Sequence, residues 1–140
     1  MFVHDRSAAR RYFIDAWRKR QAGSPLEPLE QAVSQVVEIH PEYHAVLDDA
    51  MGAIGEEFSP ERGLTNPFLH MGLHIALREQ LVTDRPAGIT AVYRRLLGRI
   101  GDAHEVEHRM MERLGEALWA AQRHNRLPDE AAYLESLRRI

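Results

Sequence analysis

One segment, residues 68–82, constrains the fold most because it is apolar almost all the way round. Its sequence FLHMGLHIALREQLV leaves no wide polar side when it is placed on a helix. A helix of this kind is typical of the middle of a packed helical protein. At about 100° per residue, His70, His74 and Arg78 fall on one stripe of that helix. The segment therefore predicts a buried central helix whose polar side chains point into the packing.

The rest of the chain repeats the same helical periodicity and predicts an all-α fold, a helical bundle of about six to seven helices. The 140 residues fit one domain covering residues 1–140. Cap residues, prolines at first helical positions and terminal glycines set the expected bounds. The other predicted helices cover residues 5–21, 25–39, 41–54, 86–100, 103–124 and 129–140. Between them, residues 55–65 form the longest irregular segment and a candidate mobile lid.

Six of the eight histidines occur in pairs four residues apart. Roughly 0.4 such pairs would be expected if eight histidines were scattered at random over the chain. Side chains at this spacing lie one helical turn apart, close enough for two imidazoles to bind one metal ion. The pairs are His40 with His44, His70 with His74, and His104 with His108.

These pairs, with one glutamate, supply the candidate metal ligands. The predicted site comprises, in first rank, His70, His74, His104, His108 and Glu107. Glu107 falls between apolar positions of its helix and is therefore expected to point inward. It could be a metal ligand itself, or it could accept the N–H of an imidazole that binds the metal. His40 and His44 are second-rank candidates because Pro41 disfavours helical geometry at His40. Imidazole and carboxylate ligands indicate that the bound cofactor would be a divalent transition metal: Zn, Fe, Mn or Ni.

Three functions remain open at this point. The first is a metal-binding bundle, including a metal-dependent enzyme that uses bound water as the nucleophile. The second is a noncatalytic interaction or assembly module, in which the histidines, Glu107 and Arg78 form a buried polar network. The partner surface of such a module would be the basic N-terminal helix or the region near Trp119. A homo-oligomer is compatible with the metal-binding function and with the interaction module. The third, nucleic-acid binding by that basic helix, is disfavoured because charge runs of this size are usually solvated faces.

Composition excludes several other classes of function. The net charge of -3 gives no general attraction to nucleic acid or to anionic membranes. With no cysteine, the chain has no disulfide, thiolate nucleophile or zinc–thiolate site, which fits a cytoplasmic protein. Residues 1–6 are not a basic region followed by an apolar run, and no stretch of eighteen uninterrupted apolar residues occurs, so neither a leader peptide nor a membrane segment is expected. No phosphate-binding loop, dinucleotide fingerprint or nucleophile elbow is present.

Several longer strings resemble a known family. They are HPEYH at residues 40–44, NPFLHMGLH at 66–74 with REQ at 78–80, TDRPAGI at 83–89, and residues 104–119. The chain resembles DUF1841, a family of small bacterial proteins of unknown function, which implies a cytoplasmic protein and no particular activity. More loosely, His70-x-x-x-His74 and His108-x-x-x-Glu112 are similar to motifs of hemerythrin-like and DinB-like metal bundles. Because the motif order differs and Glu112 is expected to face outward, an oxygen-bridged di-iron centre is not expected.

Overall fold

The computed structural model describes residues 6–49 and 66–140, and this part of the chain is all-α, as predicted. It contains seven α-helices, one 3₁₀ turn at Pro41–Tyr43 and no strand. The helices are α1 (Arg6–Gln21), α2 (Pro28–Glu38), α3 (His44–Asp48), α4 (Pro67–Thr83), α5 (Ile89–Ile100), α6 (Ala103–Arg123) and α7 (Glu130–Arg138). The candidate lid at 55–65 and the predicted helical residues 50–54 lie outside the described residues.

The chain divides into two compact units, Met1–Gly72 and Leu73–Ile140. The boundary falls within α4, so each unit contains one part of that helix. The single domain covering residues 1–140 stays a prediction.

In the first unit, α1 packs against α2 through apolar faces of helical spacing. The buried members are Phe13, Ile14, Ala16, Trp17, Val33, Val36 and Val37. Two cations of the basic helix are paired with acids of α2: Lys19 binds Glu30 at 2.6 Å, and Arg20 binds Glu38. A third basic residue, Arg10, is buried. The basic helix therefore uses much of its charge inside the unit, which weakens the case for nucleic-acid binding.

The start of α2 differs from the prediction. The sequence indicates a helix beginning at Pro25 with Ser24 as the cap, whereas α2 begins at Pro28 after Glu27. Proline disfavours helical geometry at the residue before it, so a helix cannot readily continue through Glu27 into Pro28. The Glu27 backbone N–H donates to Glu30 Oε1 at 2.8 Å, which fixes the new start.

In the second unit, the C-terminal part of α4 and helices α5, α6 and α7 enclose one apolar core. Its buried members are Leu77, Ile89, Val92, Leu96, Val106, Met110, Met111, Leu114, Tyr133 and Leu137. Aspartates begin α6 and α7 as predicted: the Asp102 and Asp129 carboxylates accept backbone N–H groups of the first turns. Ala132, predicted to dock α7, is exposed, and the adjacent Tyr133 is buried instead.

The expectation that the 68–82 helix is buried holds for its middle and for Phe68, and fails for one residue near each end. Met71, His74 and Leu77 are fully buried, but Leu69 is 61% exposed and Val82 is 87% exposed. Terminal turns of a helix have fewer neighbours than its middle, so apolar character all round does not ensure burial there.

Candidate metal centre

Helix α4 carries His70, His74 and Arg78 on the predicted stripe. The Asn66 side chain caps its first turn by accepting the N–H groups of Phe68 and Leu69 at 3.0 and 3.2 Å. The helix is unbroken from Pro67 to Thr83, so the two histidines lie about one turn apart along it. His74 is fully buried, while His70 and Arg78 are half-buried.

In the second unit, His74 and Arg78 both donate to one carboxylate oxygen. Glu107 Oε1 accepts from His74 Nε2 at 2.8 Å and from Arg78 Nε at 3.0 Å. Burial raises the pKa of Glu107, but the hydrogen bonds from His74 and Arg78 outweigh that effect and hold this pKa below its usual value. A carboxylate can only accept, so the His74 proton is at Nε2 and a neutral ring carries its lone pair at Nδ1.

The first turns of α6 bring two more imidazoles to His74. The ring centroids of His104 and His108 are 4.0 Å apart, and they lie 6.0 and 5.6 Å from the His74 ring, respectively. His108 is half-buried and His104 is exposed. The structure thus places four of the first-rank residues together in the second unit, namely His74, His104, Glu107 and His108.

In the first unit, His70 contacts His40 from the second-rank pair. The two ring centroids are 4.9 Å apart, and the rings meet edge to face. His40 is fully buried, and its Nδ1–H donates to the Val36 carbonyl at 2.8 Å, so a neutral ring carries its lone pair at Nε2. Although Pro41 ends the helical geometry, as predicted, the resulting 3₁₀ turn still holds His40 against α4 residue His70.

Sequence reasoning missed Tyr43 as a neighbour of these rings. Tyr43 stacks on His40 with ring centroids 5.4 Å apart, and its centroid lies 5.8 Å from that of His70. Burial, followed by the nearby charge of Glu42, raises the pKa of the Tyr43 phenol. The sequence feature that could have indicated this contact is the position of Tyr43 three residues after His40. One 3₁₀ turn between them places the two side chains on the same side of the turn.

His44, the other second-rank candidate, has a different environment. Its Nε2–H donates to the Val37 carbonyl at 2.9 Å, and its ring centroid lies 4.6 Å from that of buried Trp17. These contacts tie α3 to α1 and α2. The structure therefore separates the two members of the His40–His44 pair.

Each unit contains one pair of histidines whose ring nitrogens are close enough to share a metal ion: His40 and His70 in the first unit, and His74 and His108 in the second. Within each pair, ring nitrogens lie within 4.8 Å of one another. His104 and Glu107 do not belong to the second-unit pair, but each contacts one of its members: Glu107 accepts from His74, and His104 packs against His108.

The family comparison adds the identity of the domain. A family model for DUF1841, a domain of unknown function, matches residues 5–139. The chain belongs to the DUF1841 family. The resemblance seen in the sequence is thereby confirmed, and membership brings no activity with it. No curated protein and no solved structure shows significant similarity to this DUF1841 chain.

Two other expectations for this DUF1841 chain bear on the site. Glu112 is exposed, as predicted, so the hemerythrin-like string from His108 to Glu112 does not bring that carboxylate to the imidazoles. Among the helices of residues 6–49 and 66–140, none is long and apolar enough to cross a membrane. The cytoplasmic location and bacterial origin stay predictions.

Proposed function

We propose that this DUF1841 chain binds a divalent transition-metal ion through histidines carried by α4 and by the residues that contact them. The observation that carries the proposal is the 2.8 Å hydrogen bond from His74 Nε2 to the buried Glu107 carboxylate. Metal-binding histidines almost always donate their other ring N–H to a carboxylate or a backbone carbonyl, which fixes the tautomer and raises the basicity of the ligand.

His40 supports the proposal independently because its Nδ1–H donates to the Val36 carbonyl. His40 and His74 are both fully buried, and in each ring a hydrogen bond holds the proton on one nitrogen. Metal binding requires the other nitrogen to be deprotonated. In the neutral form of each ring, the nitrogen opposite that hydrogen bond is the one that would coordinate the ion.

The proposed ligands follow from these contacts and from the helix. His74 and His108 are assigned in the second unit. In the first unit, His70 and the buried His40 that its ring contacts are a separate candidate pair. Glu107 orients His74, and His104 packs against His108. Imidazole ligands favour Zn, Fe or Ni over Mn, which prefers oxygen ligands.

A second function is supported by Arg78. Its Nε donates to the same Glu107 oxygen as His74, so the carboxylate already has two charged or polar donors without an ion. A satisfied network of this kind can serve a noncatalytic assembly module, in which it specifies the packing of α4 against α6. The two functions differ in whether the histidines are needed for metal or for stability alone.

Metal analysis of untagged protein tests the proposal. We expect near-stoichiometric metal, or stoichiometric uptake of Zn²⁺ or Co²⁺ by chelator-treated protein. His74→Ala and His108→Ala should each reduce that uptake at least tenfold, and the visible d–d bands of bound Co²⁺ should be seen in the parent and lost in these two variants. The matched control is His124→Ala, because His124 is exposed at the end of α6.

The outcomes separate the two functions. Uptake that is substoichiometric, or unchanged in His74→Ala, would refute metal binding. Loss of thermal stability without any change in metal content would favour the polar network. His70→Ala and His40→Ala then test whether the histidines of the first unit are ligands.

A further inference from the structure

The histidine pair of the first unit, His40 and His70, is a small donor set for a metal ion. Structural zinc sites have four protein ligands, and catalytic ones have three with an open position for water or substrate. His40 offers its Nε2 lone pair, because its Nδ1–H donates to the Val36 carbonyl. The centroids of the two imidazole rings are 4.9 Å apart. A third donor from this unit would therefore have to lie beside both rings.

Tyr43 meets this requirement. Its ring centroid lies 5.4 Å from that of His40 and 5.8 Å from that of His70, so each of the three rings neighbours the other two. The 3₁₀ turn at Pro41–Tyr43 holds the side chain there, since the Tyr43 backbone N–H donates to the His40 carbonyl at 2.9 Å. A tyrosine oxygen that has lost its proton is an anionic metal ligand, as in tyrosine-ligated haem.

The spacing of the three rings matches the spacing expected around one shared ion. With metal–nitrogen bonds of about 2.0–2.1 Å and angles of about 90–110° at the ion, the centroids of two imidazole ligands are about 4.5–5.2 Å apart. A phenolate ring lies further from the ion, so its centroid is about 5.3–6.1 Å from that of an imidazole ligand. The observed separations of 4.9, 5.4 and 5.8 Å fall within these ranges.

The chain neighbours of Tyr43 are placed differently. Glu42 is exposed. His44 Nε2–H donates to the Val37 carbonyl, and the His44 ring lies against Trp17. Tyr43 is therefore the residue of this segment that can add an oxygen to the pair.

We propose that Tyr43 is a third metal ligand, which gives the first unit a site of two imidazoles and one phenolate. This inference rests on the proposed function, because it adds a ligand to one of the two histidine pairs. As the bond between the Tyr43 oxygen and the ion forms, the phenol O–H bond breaks and its proton passes to solvent. Non-haem iron sites commonly use two imidazoles and one anionic oxygen, that of a carboxylate. Iron is accordingly the ion assigned to this unit.

Visible absorption of the iron(III)-loaded protein tests the phenolate directly. A phenolate bound to iron(III) gives an intense charge-transfer band in the visible region, which imidazole ligands alone do not give. We expect this band in the parent loaded from iron(III) citrate, and its loss in Tyr43→Phe, which keeps the ring and removes the oxygen. Tyr43→Phe should also weaken iron(III) binding at least about tenfold. The matched control is Tyr93→Phe, because Tyr93 is half-buried too but belongs to the second unit.

The outcomes separate this inference from the proposed function. Iron bound by the parent without the band, or a band that survives in Tyr43→Phe, would overturn the third ligand and leave metal binding by histidine intact. A parent that takes up no metal would refute the proposed function itself. His40→Ala and His70→Ala should each abolish the band, with circular dichroism confirming that every variant is folded. A band unchanged in both would overturn the shared site.

Discussion

Replacement of Glu107 by glutamine is the sharpest perturbation of the centre because it removes charge while keeping shape. Glu107 is only 6% exposed, and one of its oxygens accepts from both His74 and Arg78. The glutamine amide oxygen can take the same position and accept the same two donors. Glu107→Gln therefore removes the anionic acceptor from both hydrogen bonds without creating a cavity.

The expected loss of stability can be worked from those two bonds. A hydrogen bond to a charged group contributes about 1.5–3 kcal/mol, and a neutral one about 0.5–1.5 kcal/mol. The bond from fully buried His74 should therefore weaken by about 1 kcal/mol. The Arg78 side chain is 36% exposed, so solvent screens its share to a few tenths of a kcal/mol. We expect Glu107→Gln to lower the free energy of unfolding by about 1–1.5 kcal/mol in the presence of a chelator.

Metal binding adds a second, separable effect. Substitution of a residue that orients a metal ligand typically lowers metal affinity 10–100-fold. At free metal well above the dissociation constant, that corresponds to a further loss of about 1.4–2.7 kcal/mol in the free energy of unfolding. Urea unfolding with chelator and with saturating Zn²⁺ measures both effects, and exposed Glu112→Gln is the control. Equal losses under the two conditions would contradict the assignment of Glu107 to a metal centre.

Three further predictions concern residues outside the centre. Hydrogen bonds from backbone N–H groups hold the pKa of Asp84 below its usual value. The stabilising effect of the Asp84 carboxylate is therefore present above about pH 4 and is lost as the pH falls through the folded-state pKa. Asp84→Asn should reduce this loss of unfolding free energy at acid pH, as measured by urea unfolding. His44→Ala should lower the melting temperature by loss of the Trp17 contact yet leave metal content unchanged, and a loss of metal would show that His44 was misassigned. Tyr133→Phe removes the 2.8 Å bond to Gln80 and should cost about 1 kcal/mol in the free energy of unfolding, whereas a neutral result would mean that water replaces the hydroxyl.

The helical fold could be predicted from the sequence because its signals are local. Periodicity and caps such as Asn66, Asp102 and Asp129 act within one helical turn, and each begins a helix where expected. The errors lie where two local signals compete. Pro25 and Pro28 both fit a first helical position, and the reciprocal contact of Glu27 with Glu30 favours the later one. Ala132 and Tyr133 are adjacent on α7, and only packing shows which one faces the core.

The candidate centre was predictable to the extent that it is built from helical spacing. His70, His74, His104 and His108 fall on helix faces that the sequence defines, and the structure brings His74, His104 and His108 together. His40 was predicted only as a second-rank candidate, and its contact with His70 was not predicted because it depends on a 3₁₀ turn rather than on helical spacing. Tyr43 was missed for the same reason, since its contact with His40 is made by that turn.

The contrast between His44 and His74 shows why spacing alone is insufficient. Each histidine is one member of an i, i+4 pair, and each donates a hydrogen bond from Nε2. The His44 acceptor is a neutral backbone carbonyl and its ring lies against Trp17, whereas the His74 acceptor is a buried carboxylate and its ring lies among other imidazoles. A carboxylate raises the basicity of the remaining ring nitrogen more than a carbonyl does, because its full negative charge stabilises the cationic character that the ring acquires on binding a metal. The acceptor and the surrounding rings, rather than the pairing in sequence, therefore select His74 as the residue on which metal binding should depend most.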